Sequence, residues 1–592
     1  MADILPEASI VRRLLPVLRW LPAYRRADLV PDVLAGLAVW AVMVPESLAY
    51  AGIVGVAPIM GLYTIVPPLV AYALLGSSRL LVVGPDTATG LISALTVGAI
   101  AAQGGAEFNT LTSTLAVVIG GFFLLFGALR MGWVAAFIPT PVMRGFIEGL
   151  VCVTIVGQIP HLLGIAGTSG DVFTRLGFLL RHLPEVSLGP ALTGLLSLAG
   201  MLLLRRLAPR VPAALAVAVA ATILIGLLGG EAVDVSVVGA LPSGLPRFTL
   251  PVLDPALLRE LVPGALAIVL VGYAEALGGA KAAAAGEDVD PNQELIAHGP
   301  ANILSGLFGG FLVVGSLSKT SVAVGAGART QLANLVAALF CLLTLVLLTP
   351  LFRGMPHPAL AAIVIAAMLH LSKPGYLRDL FARNRIEFAV AAIVIAGELT
   401  LGVLQGIGVG VVLALLMLIY RITHPHDAVL GQLPGQEAYR NVKRHPEALT
   451  FPGLLIWDPN GDLFFASIGH LVHGLNTAVA TNPSPVRHVL LDADSVNFID
   501  TSACDALLHA IEALRPQGIT VAFARVRDHV REQMRLGGVE AVVGATGFHE
   551  RVTDGVQAWQ QHGGSTRHAG AGGAPPMSPT SVRRDRPSAD PQ

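Results

Sequence analysis

Two short stretches of this sequence combine residue types that would hold a negative charge in an apolar setting. They are Val82-Val83-Gly84-Pro85-Asp86-Thr87 and Val313-Val314-Gly315-Ser316-Leu317-Ser318-Lys319-Thr320, offset by 231 residues. Each runs from β-branched residues into Gly, then into residues that break or cap helices, then into an apolar stretch suited to a helix. The pattern predicts helix N-termini at Asp86 and Ser318, each presenting N–H groups without intrahelical acceptors and the positive end of a helix dipole. That is anion-binding chemistry, and Lys319 adds a full positive charge. A single Gly/Ser/Thr stretch is ordinarily a small-residue helix contact. Here there are two, and about 40 residues before each a carboxylate, Glu46 or Glu275, stands in an apolar segment, where such groups mark ion or proton paths. The alternative for both is pairing with a base such as Lys319 or Lys281.

Other chemistry is sparse. Cys152, Cys341 and Cys504 are scattered and fit no disulfide or metal framework. His161, His298 and His370 lack metal-ligand spacing. There is no nucleophile–base constellation and no phosphate-binding G-x-x-x-x-G-K-[ST] loop, so neither an enzyme nor ATP-driven transport is expected. No cofactor or metal is expected either, apart from a coupling ion. Arg144 and Glu148, four apart, are read as a structural pair. Glu398 stands mid-span without an assigned role.

The elements that carry these groups follow from composition. Hydrophobic residues make up 54% of the 592 and charged residues 13%, and mean hydropathy is +0.70. So apolar a chain would aggregate in water, and the bilayer is its natural solvent. A net charge of −1 gives no reason to expect nucleic acid. Residues 31–423 read as successive apolar stretches of roughly 15 to 22 residues, about fourteen spans in all. Within the uncharged run Ser47–Ser78, Pro58 and Pro67-Pro68 alone suggest a partition. With fourteen spans, Lys and Arg gather on one side: Arg79, Arg130, Arg144, Arg205, Arg206, Arg210, Lys281, Arg329 and Lys373 among others, with Arg12 and Arg13 in the N-terminal segment. Fewer, such as Arg175, Arg247 and Arg353, fall on the other side. The bias places both termini in the cytoplasm of a cell (inner) membrane protein. A repeat of seven spans, an odd number, enters the membrane from opposite sides in its two copies, so the two broken helices meet at the midplane.

Beyond Arg421 the composition turns polar. The chain divides into an N-terminal cytoplasmic segment 1–30, a transmembrane domain 31–423, a linker 424–451, a small α/β domain 452–562 and a disordered tail 563–592. Leu454-Leu455-Ile456-Trp457 and Leu463-Phe464-Phe465 flank Asp458-Pro459-Asn460-Gly461, which predicts a hairpin.

Several of these segments resemble the SulP family of anion transporters, over nearly the whole chain to about residue 562. Asp32-Val33-Leu34-Ala35-Gly36-Leu37 and Val44-Pro45-Glu46-Ser47-Leu48-Ala49-Tyr50-Ala51 resemble its first span. Val83-Gly84-Pro85-Asp86 resembles its third, and Ser318-Lys319-Thr320 with Gly327-Ala328-Arg329-Thr330-Gln331-Leu332 its tenth. The resemblance implies an α-helical polytopic membrane fold of seven plus seven inverted spans, in core and gate subdomains, with a cytoplasmic α/β STAS domain. It implies a secondary transporter of small anions, working by elevator-like movement. Its anion site would be built from Glu46, Tyr50, Asp86, Thr87, Ser318, Lys319 and Thr320, with Glu46 and Glu275 as ion-coupling groups. Many members carry Gln at position 46 and Arg at 319. Glu46 would repel an anion when ionised and bind it when protonated, so proton coupling is expected. Sodium remains open, although Gly279, one turn after Glu275, offers no hydroxyl. Exchange, a passive channel, or a membrane-anchored sensor are the other readings. A homodimer is expected from the family; membrane lipid and a cytoplasmic protein partner of the STAS domain are the other expected partners. Thr501 or Ser502 matches a phosphorylated position of related STAS proteins.

Overall fold

The computed structural model describes residues 15–561 except 138, 166, 169, 209–210, 230–232, 247, 253 and 285–288. Arg12, Arg13, Arg210, Arg247 and the tail 563–592 lie outside the described residues. The chain forms two compact units, 1–415 and 416–592.

The first unit is helical. Helix α1 (Leu29–Val54) stops at Gly55, whose φ of 86° is open to glycine at little cost. Pro58 at the first position of α2 (Pro58–Tyr63) suits a helix start, and α3 (Val66–Leu75) follows. The uncharged run is therefore divided near Gly55 and Thr64. Strand β1 (Val83–Gly84) leads into α4 (Thr87–Gly98). Next come α5 (Ala106–Ala128), α6 (Thr140–Leu163), α7 (Val172–His182), α8 (Leu188–Leu207) and α9 (Ala213–Leu228). The second half holds α10 (Pro255–Ala283), α11 (Pro291–Leu307), β2 (Val314–Gly315), α12 (Leu317–Gly325) and α13 (Leu332–Leu343). It continues with α14 (His357–Leu371), α15 (Pro374–Arg383), α16 (Arg385–Thr400) and α17 (Val403–Thr423).

Among the described residues, eight helices are long and apolar enough to cross a membrane. The expected count of about fourteen includes shorter pieces. At about 1.5 Å per residue, α4 with 12 residues and α12 with 9 each cover about half of a ~30 Å hydrocarbon core. They are half-helices. Large side chains such as Leu188, Leu196 and Leu227 are exposed, as in a protein solvated by lipid.

The helices pack in two groups. In one, α11 lies against α3 and α5, and α1 against α13. In the other, α6 packs on α14 and α16, and α8 on α14. The groups meet where α1 touches α9 and α14. In the second group Glu148 accepts from the Ser372 hydroxyl (2.6 Å) and the Lys373 N–H (2.6 Å), while Arg144 lies over the Tyr376 ring at 5.4 Å. The expected Arg144–Glu148 pair gives way to these partners because donors after α14 reach the buried carboxylate. Glu398 is wedged between Gly149 of α6 and Gly406 of α17, where any side chain would collide with it. Its carboxylate oxygens have no hydrogen-bond partner among the described residues.

The second unit is an α/β domain. Its six-stranded sheet has the order β4-β3-β5-β6-β7-β8: β3 (Ala428–Gln432), β4 (Tyr439–Asn441), β5 (Leu454–Asp458), β6 (His488–Asp492), β7 (Thr520–Ala524) and β8 (Phe548–His549). Strands β5 to β8 are parallel, and β5, β6 and β7 are buried on both faces, as their apolar runs require. Leu455, Val489 and Phe523 join one core, which includes α18 (Ile468–Thr481) and α19 (Thr501–Leu514). Leu454, Leu490 and Ala522 join another, closed by Val552 and Val556. Two expectations change here. The segment 424–451 supplies β3 and β4 rather than a plain linker. The hairpin does not form: β5 pairs with β3 and β6, and Leu463 bridges Ile499 in parallel. Asn460, at φ 50°, only turns the chain.

Candidate functional site

The site is organised by the smallest sheet in the molecule. Strands β1 and β2 pair antiparallel, Val83 with Gly315 and Gly84 with Val314, and Ser316 N–H donates to the Val82 carbonyl at 2.9 Å. A helix follows each strand. Because the strands run in opposite directions, α4 and α12 leave the junction in opposite directions, with their N-termini facing across it. Glycine is needed here for close approach: a Cβ at Gly315 would lie 2.9 Å from Cα of Ala276 and 2.8 Å from Leu81.

The two N-termini are capped differently. Asp86 precedes α4 and accepts from Ala88 N–H at 2.8 Å. On α12 the cap is Ser316, which accepts from Lys319 N–H at 3.5 Å. The predicted start at Ser318 is thus displaced by two residues, because Ser316 follows Gly315 directly in extended backbone. Ser318 is exposed in the first turn, with its Oγ 3.2 Å from that of Ser316. The first-turn N–H groups of Thr87, Thr89, Leu317 and Ser318 have no acceptor in their own helices.

Lys319 is 1% exposed and lies between these ends. Its Nζ donates to the Pro85 carbonyl at 2.9 Å, stands 3.3 Å from Glu46 Oε2, and sits 5.0 Å above the Tyr50 ring. Glu46 follows Pro45 inside α1 and is 4% exposed. Tyr50, one turn on, is within electrostatic reach of Glu46, Asp86 and Glu275, and Glu275 of Asp86 and Lys319. The junction therefore gathers Glu46, Tyr50, Asp86, Thr87, Glu275 and Lys319. Thr320 is placed differently. Its hydroxyl donates to the Ser316 carbonyl (2.6 Å) and accepts from Val82 N–H (3.0 Å), so it ties the half-helix to the opposite strand.

Some participants were not singled out from sequence. Thr89 and Ser93 line α4 one turn apart with buried hydroxyls that lack partners among the described residues. Glu294, fully buried on α11, accepts from Tyr72 OH (2.8 Å), the Ser77 hydroxyl (2.7 Å) and the N–H groups of Ser77 and Ser78 (3.0 and 3.1 Å). It anchors the chain that leads into β1. An acidic residue at the start of an expected span was the visible signal, but its donors lie more than 200 residues away in sequence. Asp32 performs a similar service. It accepts from Arg329 and Thr330 N–H groups (2.7 and 3.1 Å) and the Thr330 hydroxyl (2.6 Å), joining the start of α1 to the turn after α12.

In the second unit, α19 is capped by Asp500, which accepts from Ala503 N–H (2.7 Å) and Phe465 N–H (2.9 Å). Thr501 and Ser502 are exposed in its first turn, so neither hydroxyl is needed as the cap. In the same domain Arg525 engages both oxygens of buried Asp492.

The profile of the sulfate permease family matches residues 29–394, and that of the STAS domain residues 445–555. A probable sulfate transporter of Mycobacterium tuberculosis is 34% identical over 540 residues, covering 91% of this chain and 96% of its own. Sulfate transporter 4.1 of Arabidopsis thaliana, a chloroplastic protein, is 31% identical over 93% of this chain and 83% of its own. Among solved structures, SLC26A9 superposes with a TM-score of 0.86 at 22% identity, covering 94% of both chains. The transmembrane domain of the cyanobacterial bicarbonate transporter BicA gives 0.58 at 24% identity, over 65% of this chain and 98% of its own.

Proposed function

We propose, from the premise that this chain belongs to the sulfate permease family and is a multi-pass membrane anion transporter, that it carries a small oxyanion or carboxylate together with a proton. The observation that carries this reading is the Lys319–Glu46 pair between two facing helix N-termini. Glu46 stands 3.3 Å from the ammonium, and Asp86 and Glu275 lie within electrostatic reach of the same cluster, so an incoming anion meets excess negative charge when all are ionised. A proton on Glu46 ends its claim on Lys319. The ammonium and the exposed N–H groups are then available to the anion. Coupling follows because a proton and a monovalent anion that arrive together leave the charge of the junction unchanged. Sodium is less well served. A hydroxyl-bearing side chain at Gly279 would place its Cβ 3.2 Å from Leu81 and 3.4 Å from Leu317.

Movement would be elevator-like, with the helix group that holds the junction sliding against the α6–α8–α14–α16 group. The relatives named above bear the names of transporters, which points to transport rather than catalysis. The cell (inner) membrane, both termini in the cytoplasm, a homodimer, and Thr501 or Ser502 as a phosphorylation point on the STAS domain belong to the same reading. The experiment is uptake of labelled sulfate, bicarbonate, chloride and dicarboxylates into proteoliposomes, with and without an inward proton gradient. Accumulation driven by the gradient supports symport. Gradient-independent counterflow identifies an exchanger and conductive flux a channel. No flux of any anion, with a partner bound to the STAS domain, would establish the sensor instead.

A further inference from the structure

We infer that the first unit carries a binding site for the phosphate of an anionic phospholipid, in the cleft where the C-terminal ends of α5 and α10 meet the start of α11. The cleft has a volume of about 450 Å³, and its lining includes Arg130, Trp133, Leu277, Gly278, Lys281 and Asn292. Its depth follows from the helices that end there. Both α5 and α10 are long and apolar enough to cross a membrane. Arg130 comes just after the end of α5 at Ala128, and Lys281 just before the end of α10 at Ala283. At about 1.5 Å per residue, the 29 residues of α10 span about 44 Å, more than a hydrocarbon core of ~30 Å and close to the ~40–45 Å that includes the headgroups. The last turn of α10 therefore lies among headgroups, and Lys281 with it. Trp133, 57% exposed at the same end, is a residue type that settles at this boundary.

The cleft is built from three elements held together at its floor. An added Cβ on Gly132 would come within 2.8 Å of Asn292 Oδ1 and 2.9 Å of the Pro291 ring. Gly132 N–H donates to that Asn292 oxygen at 2.9 Å. The hydroxyl of Tyr273, buried on α10, stands 2.8 Å from the Gly132 carbonyl and 2.9 Å from the Pro291 carbonyl. Two cations open onto this frame. Arg130 and Lys281 are exposed, and neither makes an ion pair among the described residues. Among the described residues no carboxylate lines the cleft. Asp290, which precedes α11, is turned to capping it and accepts from the N–H groups of Asn292 (2.9 Å) and Gln293 (3.2 Å). Trp133 and Leu277 supply apolar lining, and Gly278 leaves the cleft open, since a Cβ there would meet nothing within 4 Å. Two cations beside apolar side chains match the junction of phosphate and glycerol in a phospholipid. A free phosphate would leave the apolar part in water. Each basic residue near an anionic membrane surface strengthens binding by about fivefold.

The test titrates the full chain in detergent micelles with phosphatidylglycerol, phosphatidylcholine or soluble glycerol phosphate, and reads each bound equivalent by native mass spectrometry. Phosphatidylglycerol should bind tightest, equally well to R130K/K281R and about 25-fold more weakly to R130Q/K281Q. Gly278→Leu keeps both charges and fills the cleft, so the tight equivalent should be lost there too. If R130Q/K281Q fails to fold, K281Q alone reads the effect at about fivefold, since Lys281 is exposed at a helix end. A folded R130Q/K281Q or Gly278→Leu variant that holds phosphatidylglycerol as tightly as the wild type overturns the site. So does glycerol phosphate or phosphatidylcholine that binds the wild type as tightly as phosphatidylglycerol.

Discussion

Lys319 Nζ stands 3.3 Å from Glu46 Oε2 and donates at 2.9 Å to the carbonyl of Pro85, so one buried ammonium joins both half-helices to α1. The charge that would hold an anion is thus already engaged by a carboxylate.

Replacing Lys319 by Ala is expected to weaken anion affinity about tenfold or more, the range of a charge-assisted contact. The concentration dependence of proteoliposome uptake measures it. The loss also strands Glu46 without its cation, so Lys319→Ala should unfold at lower temperature than Lys319→Ala combined with Glu46→Gln. An unchanged affinity in the single variant would remove Lys319 from the site.

Glu46→Gln keeps the shape of the side chain and removes the carboxylate. Accumulation driven by a proton gradient is expected to vanish while counterflow of the same anion persists. If gradient-driven uptake survives at wild-type rates, the proton travels elsewhere.

At the strand crossing, Gly315→Ala forces a methyl against Cα and Cβ of Ala276, both 2.9 Å away. Overpacking of this kind costs about 1–3 kcal/mol. Gly278→Ala, on the same helix as Ala276, meets nothing within 4 Å and should be neutral or stabilising by up to about 1 kcal/mol. Thermal unfolding in detergent distinguishes the two, and equal shifts would contradict the crossing.

Glu294→Ala leaves Tyr72 OH and the Ser77 and Ser78 donors buried without an acceptor. A loss of about 3 kcal/mol or more is expected, with transport failing through loss of fold. Denaturation midpoints near wild type would refute the anchoring role.

Burial, helped by His549, lowers the His488 imidazole to about 4, and the ring stacks on Trp559 at 5.5 Å. The folded value lies below the unfolded one near 6.5, so the unfolded chain binds more protons between them. Stability of the STAS domain is therefore full above pH 6.5 and falls as the pH drops toward 4. His488→Gln should flatten that part of the profile. A wild-type profile that does not fall between pH 6.5 and 4 would refute it.

Much of the fold was legible because it depends on local pattern. Apolar stretches of membrane length, Gly and Pro punctuation, and two matched break motifs are properties of consecutive residues. The Asp32 segment and the Gly327–Leu332 segment each stood out alone, and the structure joins them through the Asp32 carboxylate. Where partners are distant, pattern failed. Glu148 chose Ser372 and Lys373 over Arg144 four residues away, because a buried carboxylate takes whichever donors packing delivers. The hairpin at Asp458–Gly461 was a sound local signal, overridden because β5 already had a strand on each side.

By itself the sequence determined the solvent of the first unit, the α/β class of the second, and the two places where a helix would break inside the membrane. All three follow from hydrophobicity and backbone preference over short windows. Only the tertiary structure decided that Val83 pairs with Gly315, that Ser316 rather than Ser318 caps the second half-helix, and that Lys319 faces Glu46. These are meetings of residues more than 200 positions apart or choices between neighbours of similar chemistry. They are settled by packing geometry in three dimensions, which no local pattern contains.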